Sequence, residues 1–180
     1  VKLQAKAMAY QVERHYELRG WTFNRMWELV LSPYSNQKIC PSEKYVKQPA
    51  LRKNCTGILV SPKHLLTAGN CMTEHYCKND LYYWMFDYNL KTDSKFSNKR
   101  PKNNFYKCKE IIKRVYDPSS ETSYTLLELD KKVKGIKPAK LNLIDEVHTD
   151  DKLYVLGHMR GLPLKIDFGV KVIEKYDDNF

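Results

Sequence analysis

One stretch, residues 55–71, restricts the fold of this 180-residue chain more than any other. It predicts two short apolar strands, at 57–60 and 64–67, joined by a Ser-Pro-Lys turn at 61–63 in which proline presets the backbone angle. Small residues at 68–69 follow the second strand and allow the chain to turn sharply under a packed neighbour. A cysteine stands at each end. The stretch therefore predicts a tight β-hairpin that leads into a sharp turn.

The same stretch resembles the first catalytic motif of the trypsin-like serine peptidases, especially of their bacterial branch that is similar to glutamyl endopeptidases. The family pattern reads C-x-G-x-L-V-x-P-x-x-x-x-T-A-G-H-C. Asn70 stands where the family has its general-base histidine. Because histidine exchanges a proton near neutral pH and an amide does not, the resemblance implies a peptidase framework without its base. The matching residues are Cys55, Gly57, Leu59, Val60, Pro62, Thr67, Ala68, Gly69 and Cys71.

A second segment, residues 123–133, resembles the family motif D-x-A-L-L-x-L-D-x-x-V, whose leading aspartate orients the catalytic imidazole. Ser123 occupies the aspartate position, and a hydroxyl carries no charge that could hold an imidazolium. Asp117 lies six residues earlier, beyond a predicted turn, and we do not expect it to replace the missing acid. The matching residues are Leu126, Leu127, Leu129, Asp130 and Val133.

A third segment, residues 152–165, resembles the family's L-x-V-x-G-H-P-x-G-L-P-x-K, the opening hairpin of the second barrel, with Met159 in place of proline. The family places a structural histidine at the position of His158, so we expect this residue to stabilise a turn and not to act as a base. The family's glycine-rich nucleophile motif comes shortly after this hairpin, whereas no serine or cysteine follows Ser123 here. The resemblance therefore implies that no catalytic position is intact.

The resemblance implies a mainly β, chymotrypsin-like double β-barrel with a complete first barrel and an incomplete second one. A short helix is predicted at the N-terminus, because apolar residues recur at helical spacing over residues 1–18; we expect it to cover an open end of the barrel. The predicted domains are an N-terminal helix and connecting segment at 1–39, the first barrel at 40–135, an inter-barrel connection at 136–151, and the start of the second barrel at 152–180.

Five cysteines, at positions 40, 55, 71, 77 and 108, favour an oxidising compartment, and we expect a secreted or periplasmic protein. The resemblance implies a disulfide between Cys55 and Cys71 that contributes on the order of 3 kcal/mol. We further predict a disulfide between Cys77 and Cys108, which leaves Cys40 as a free thiol or as a link to another molecule.

No metal and no cofactor are expected. His64, His75, Cys71 and Cys77 could be considered as ligands, but their spacing matches no common zinc pattern.

The formal net charge of +10 is spread over every region of the sequence, which favours a solvated lysine-rich surface. Nucleic acid is not an expected partner, because the aromatic run at 82–88 is better explained as a buried strand than as a base-stacking platform. A membrane is not expected either, since no apolar run approaches the roughly 20 residues that a span requires.

Three functional hypotheses follow. The first is a catalytically inactive trypsin-like protease homologue that serves as a binding or structural module. The second is one part of a working endopeptidase whose nucleophile-bearing segment is missing or lies on another chain. The third is a basic protein that binds nucleic acid or another anionic polymer. The unpaired strand edges of the incomplete second barrel need a cover, which the first 35 residues, a protein partner or a second copy could supply; we expect a protein partner or a second copy.

Overall fold

The computed structural model describes most of the chain between residues 2 and 174. The described residues are 2–14, 18–19, 26–29, 42, 44–45, 48–51, 55–90, 99–119, 122–143 and 146–174. Their helices and strands, in chain order, are α1 (Lys2–Lys6), β1 (Met8–Glu13), β2 (Leu18–Arg19), β3 (Met26–Leu29), β4 (Thr56–Leu59), β5 (His64–Thr67), α2 (Glu74–Lys78), β6 (Tyr82–Phe86), β7 (Lys99–Pro101), β8 (Phe105–Asp117), β9 (Thr122–Leu129), β10 (Lys152–Gly157) and β11 (Lys165–Lys171). Among these residues, no helix has the length and apolar character needed to cross a membrane.

Six strands form a closed barrel in the order β1-β4-β5-β9-β8-β6, and neighbouring strands are antiparallel. Closure gives each strand two neighbours, so that the barrel presents no open sheet edge. The predicted hairpin at 57–67 is β4 and β5, and the segment that resembles the second catalytic motif is β9. The predicted mainly β, chymotrypsin-like architecture with a complete first barrel and a short N-terminal helix is therefore confirmed.

The N-terminal helix is shorter than predicted and leads directly into a barrel strand. α1 ends at Lys6, and Met8–Glu13 form β1, so the predicted helix over residues 1–18 is wrong at Met8–Glu13. Ala9 belongs to the cluster in the barrel interior, whereas Tyr10 and Val12 belong to a second cluster. Because β1 is buried on both faces, its sequence lacks the apolar and polar alternation that marks a half-buried strand. The barrel thus includes a strand that precedes residue 40.

The aromatic strand β6 is also buried on both of its faces. Tyr82, Trp84 and Phe86 pack in the barrel interior, and Tyr83 and Met85 pack in the second cluster. The prediction that this run is a buried strand is confirmed. β1 and β6 therefore each contribute side chains to both clusters, the one in the barrel interior and the second one.

Two disulfides tie the segments around the first barrel. Cys55 bonds to Cys71 with a Cα–Cα distance of 5.9 Å, and Cys77 bonds to Cys108 with a Cα–Cα distance of 5.1 Å. Both predicted pairings are confirmed. Cys40 lies outside the described residues.

Outside the barrel, β10 and β11 form a two-stranded antiparallel hairpin. In the described part of the chain these strands pair only with each other. Large apolar side chains stand in solvent on this hairpin: Tyr154 is 53% exposed, Val155 54% and Phe168 63%. The hairpin stands where the resemblance predicts the opening hairpin of a second barrel.

A small sheet in the order β2-β3-β7 lies apart from the barrel strands. Lys99–Pro101 form β7 and pair with β3. Residues 91–98 lie outside the described residues. Short 3-10 turns occupy Lys102–Asn104 and Met159–Gly161.

The hairpin β10–β11 is attached to the barrel through the turn that holds Gly161. The Leu51 amide donates to the Gly161 carbonyl at 2.9 Å, and the Tyr88 hydroxyl donates to the same oxygen at 2.9 Å. The Leu164 amide in turn donates to the Tyr88 carbonyl at 2.8 Å. Gly161 has a φ of +73°, and a Cβ added there would overlap the Leu51 carbonyl. Position 161 therefore requires a glycine both for its left-handed backbone conformation and for the space that a side chain would need.

We expect Gly161→Ala to lower the free energy of unfolding by more than about 2 kcal/mol, because it adds a backbone clash to the cost of a left-handed conformation. Gly135→Ala is the matched control: its φ is +76°, but no atom lies within 4 Å of the added Cβ. Gly135→Ala should lower the free energy of unfolding by only about 1–2 kcal/mol. Urea unfolding measures both, and equal losses would contradict the proposed close contact.

Candidate functional site

The backbone of Gly69, in the turn after β5, is bound by side chains on both of its polar groups. The Gly69 amide donates to Ser123 Oγ at 3.0 Å, and Arg114 Nε donates to the Gly69 carbonyl at 2.7 Å. Ser123 lies on β9 and Arg114 on the adjacent β8. Two neighbouring barrel strands therefore fix the residue that precedes Asn70.

The residues after Asn70 are fixed by buried polar side chains from β1 and from β9. Gln11 Nε2, on β1, donates to the Cys71 carbonyl at 2.6 Å, and Thr125 Oγ1, on β9, donates to the Met72 carbonyl at 3.1 Å. Gln11 is 1% exposed and Thr125 is fully buried. Since buried polar groups are costly unless they are paired, these bonds hold the loop tightly in place. The loop geometry is thus set before any ligand binds.

Asn70 itself is exposed at the surface of this fixed loop. Its amide has no pKa in the range where proteins work, so it cannot take a proton from a nucleophile. The structure brings together Asn70 and Ser123, the two residues that the sequence analysis placed at the base and acid positions. Ser123 Oγ accepts from the amide of Gly69, the residue directly before Asn70, and neither the Asn70 nor the Ser123 side chain can act as a base near neutral pH.

Arg114 is a part of this site that the sequence analysis did not single out. It lies within a charged run on β8, and no local pattern marks it as different from its neighbours. Its guanidinium lies 5.3 Å from the centroid of the Tyr116 ring and binds the backbone directly before Asn70. A cation is therefore among the groups that hold this loop.

Gln11 is the second residue that the sequence analysis missed. It lies within the predicted helix over residues 1–18, among lysine and glutamate residues that are polar in any fold. Only the closure of the barrel places it against the Cys71 carbonyl.

Asp117 is used locally in the turn between β8 and β9. Its Oδ1 accepts from the Ser119 amide at 2.9 Å and from the Ser119 hydroxyl at 2.6 Å. These are the bonds of an Asx turn. The carboxylate therefore has a structural explanation that needs no role in catalysis.

A serine and a histidine do meet at the β4–β5 turn, with Ser61 Oγ 2.6 Å from His64 Nδ1. Ser61 Oγ also accepts from the Lys63 and His64 amides, at 3.3 and 3.1 Å. These bonds are typical of a serine that stabilises a turn. They leave the hydroxyl engaged by three groups of its own turn.

Glu128 pairs with His64 across the strands but does not orient its ring. The carboxylate instead binds Lys63 Nζ at 3.0 Å and Lys109 Nζ at 3.2 Å. Hydrogen bonds from Lys63 and, to a smaller extent, from Lys109 lower the pKa of Glu128 to about 2. The carboxylate is thus held as an anion between two ammonium groups.

His158 is a buried member of the junction between the hairpin and the barrel. It is 2% exposed and stacks on Tyr88 with a centroid distance of 5.4 Å. Because a carbonyl oxygen only accepts, Nδ1 must donate to the Leu162 carbonyl at 3.2 Å, which leaves Nε2 as the unprotonated nitrogen. Nε2 is buried without a hydrogen-bond partner in the described structure. These contacts support the predicted turn-stabilising role and give the ring no access to a substrate.

The four residues considered for a metal site do not form one. Cys71 and Cys77 are both in disulfides, so neither is available as a thiolate. Among the described residues, no group of three or more histidine, cysteine and carboxylate side chains could hold a metal ion.

A closed six-stranded barrel, followed by a hairpin and carrying a Thr-Ala-Gly turn fixed against its neighbouring strand, defines a protein of the trypsin-like fold class. The chain belongs to the trypsin family: the Trypsin family model matches residues 35–162. No curated protein matches the sequence. The match therefore covers five of the six barrel strands, all except β1, together with the connection and β10.

We expect the stability of the protein to fall as pH falls from about 6.5 to about 4, in part because of His158. Burial, opposed only partly by the bond to Leu162, lowers the pKa of His158 to about 4, against 6.5 in an unfolded chain. Below pH 6.5 the unfolded state thus binds more protons, and the folded state loses about 3 kcal/mol by pH 4.

His158→Gln should remove this part of the pH dependence, because glutamine can still bond to the Leu162 carbonyl but does not titrate. Unfolding free energies of the protein and of the variant, measured at pH 7 and near pH 4, give the comparison. An equal acid loss in both proteins would contradict the assignment to His158.

Proposed function

We propose that this chain is a trypsin-family protein without peptidase activity of its own, which acts as a binding or structural module. One observation carries the proposal: the fixed loop presents the amide of Asn70 at the base position, and Ser123 at the acid position binds only a backbone amide. The members of a catalytic triad act as a unit, and loss of one typically lowers turnover by about 10⁴-fold or more. Both substitutions lie within the first barrel, so the proposal does not depend on where a nucleophile would be.

Electrostatics at the loop support the same proposal. In an active enzyme, a carboxylate beside the imidazole stabilises the imidazolium that forms as the base takes a proton. Here the Arg114 guanidinium binds the carbonyl of the residue before Asn70, and no negative side chain takes part in the bonds to Gly69. A cation at this place disfavours a protonated base. The surroundings of the loop are thus suited to hold its shape and not to transfer a proton.

We also propose that the protein belongs to the branch similar to glutamyl endopeptidases and that it works in a secreted or periplasmic compartment. The motif around the β4–β5 hairpin supports the branch. The two disulfides support the compartment, because such bonds persist where conditions are oxidising.

The purified protein should not hydrolyse fluorogenic peptide substrates above the buffer rate, and an acylating serine-hydrolase probe should not label it. The reason is that neither the base position nor the acid position holds a group that moves or stabilises a proton. An active trypsin-fold peptidase serves as the positive control. Turnover that rises in proportion to the concentration of this protein would overturn the proposal.

Asn70→His, alone and with Ser123→Asp, tests whether these two positions correspond to base and acid. In N70H, we expect the introduced imidazole to have a pKa at or below about 6.5, because Arg114 is near and no carboxylate faces it. In N70H/S123D, the new carboxylate should raise that pKa by about 1 unit or more. NMR titration of the added imidazole resonance measures both values. A pKa that is the same in both variants would show that the two positions do not face each other.

A second proposal concerns the hairpin β10–β11, which we infer is covered by a protein partner or by a second copy of the chain. The aromatic pair of Tyr154 and Phe168, with ring centroids 5.5 Å apart, is more than half exposed. Exposed apolar groups on open strands are a common basis for association. If such a cover completed a second barrel, the base and acid positions in the first barrel would still be vacant of titratable groups.

The double variant Tyr154→Thr/Phe168→Thr tests this cover, because threonine keeps the preference for a strand while removing the apolar rings. Tyr116→Thr is the matched control, since Tyr116 is also 53% exposed but lies on β8. Sedimentation velocity should show association that depends on concentration and is lost only in the double variant. A monomer that binds an apolar dye would instead indicate a different protein as the cover, and a monomer that binds no dye would contradict the proposal.

A further inference from the structure

The segment after β9, residues 131–140, is the most basic surface that the structure describes, and we call it the basic strap. Five of its ten residues are lysine, at positions 131, 132, 134, 137 and 140. No acidic residue occurs between 131 and 143. The sequence itself thus concentrates positive charge in this segment, within a chain whose lysines are otherwise spread over every region.

The strap is held on the barrel through residues at every third position. Val133 is 6% exposed and Ala139 is 8% exposed, and Ile136 packs against the same interior cluster. The Val133 amide donates to the Pro62 carbonyl at 2.9 Å, and the Ala139 amide donates to the Leu59 carbonyl at 2.7 Å. The apolar residues of the strap thus face the barrel, and the residues between them are turned away from it.

Further contacts fix both ends of the strap. At its start, Lys131 Nζ lies 5.0 Å from the centroid of the Tyr106 ring. At its end, the Lys140 amide donates to Gln4 Oε1 at 3.2 Å, and Gln4 Nε2 donates to the Lys140 carbonyl at 3.3 Å. The backbone that carries the lysines is therefore held from one end to the other.

The lysines of the strap keep their charges free for a ligand. Lys132, Lys134, Lys137 and Lys140 are exposed. Among the described residues, the ion pairs join groups in the β4–β5 turn, on β8, β9 and β11, and in the loops after α2 and before β10, and none involves a strap lysine. Residues three apart are at most about 11 Å from each other along the chain, so these charges form one continuous patch. No ion pair among the described residues therefore competes with a polyanion for these lysines.

We propose that the basic strap binds an anionic polysaccharide that carries sulfate or carboxylate groups. The positive side chains are all lysine, which acts as a point charge and lacks the fork by which arginine recognises phosphate in a fixed geometry. The strap also contains no aromatic residue on which a base could stack. The two disulfides indicate an oxidising compartment, where acidic polysaccharides are available as ligands. This site is independent of the proposed lack of peptidase activity.

The test compares heparin binding by the protein with binding by Lys134→Gln/Lys137→Gln/Lys140→Gln. The control variant, Lys78→Gln/Lys113→Gln/Lys152→Gln, loses the same charge at exposed positions on α2, β8 and β10. Titrations between about 50 mM and about 200 mM salt give the affinity and its salt dependence. We expect the strap variant to bind about 30-fold more weakly and to lose about two to three units of the logarithmic salt slope. The control variant should change the affinity by only a few-fold.

Three outcomes would overturn the proposal. Heparin that does not bind at about 50 mM salt would exclude the site. Equal weakening in both triple variants would show that diffuse net charge, and not the strap, is responsible. A single-stranded oligonucleotide that binds as tightly as heparin, with the same dependence on the strap lysines, would assign the strap to nucleic acid. Circular dichroism and urea unfolding check that both variants fold, which is expected because all six substituted side chains are exposed.

Discussion

The structure depends on the pairing of β1 with both β4 and β6, because this pairing closes the barrel. Without β1, two strand edges would be open and the interior residues would lack one wall. With it, Ala9 packs in the interior cluster and Tyr10 and Val12 pack in the second one. The same strand carries Gln11, whose amide holds the carbonyl of Cys71. Barrel closure and the position of the candidate site therefore rest on one strand.

The geometry of the loop at residues 69–72 depends on hydrogen bonds and not on groups that titrate. Holding the loop requires only hydrogen-bond donors and acceptors, and Ser123, Arg114, Gln11 and Thr125 supply them. Proton transfer requires more, namely a group that titrates and a neighbouring charge that stabilises its protonated form. Because the two requirements are physically separate, the framework of a peptidase is compatible with a site that holds no base. Ser123, at the proposed acid position, accepts a hydrogen bond from the Gly69 amide, because a neutral hydroxyl oxygen can accept such a bond as a carboxylate oxygen can.

Two surfaces remain outside this framework, and they differ in chemistry. The hairpin β10–β11 exposes aromatic rings on strands that pair only with each other in the described structure, which favours contact with another protein surface. The basic strap exposes lysines on a backbone that the barrel holds in place, which favours a polyanion. A protein could use both at once, because the first surface relies on apolar burial and the second on charge.

The local patterns of the sequence were sufficient for much of the fold. The β4–β5 hairpin, the strand β9 and the cysteine pairs all lie in segments whose residue types and resemblance to the trypsin family predicted them. The substitutions at Asn70 and Ser123 could also be read directly, since each stands within a segment of matching residues. The errors came where local pattern and tertiary environment disagree. Met8–Glu13 carry helix-compatible residues but form a strand, because burial on both faces removes the alternation on which sequence-based assignment depends.

The sequence by itself thus determined the family, the strands around the motifs and the chemical character of the two substituted positions. Only the tertiary structure decided which distant residues meet there. Arg114 and Gln11 are 45 and 60 residues away from the backbone groups that they bind, and His158 is 102 residues away from the hydroxyl that binds its amide. The tertiary structure also places Val133, Ile136 and Ala139 of the strap against the barrel, with the lysines between them exposed. Such contacts follow from barrel closure and strand register, which are properties of the whole chain and leave no mark on any short segment.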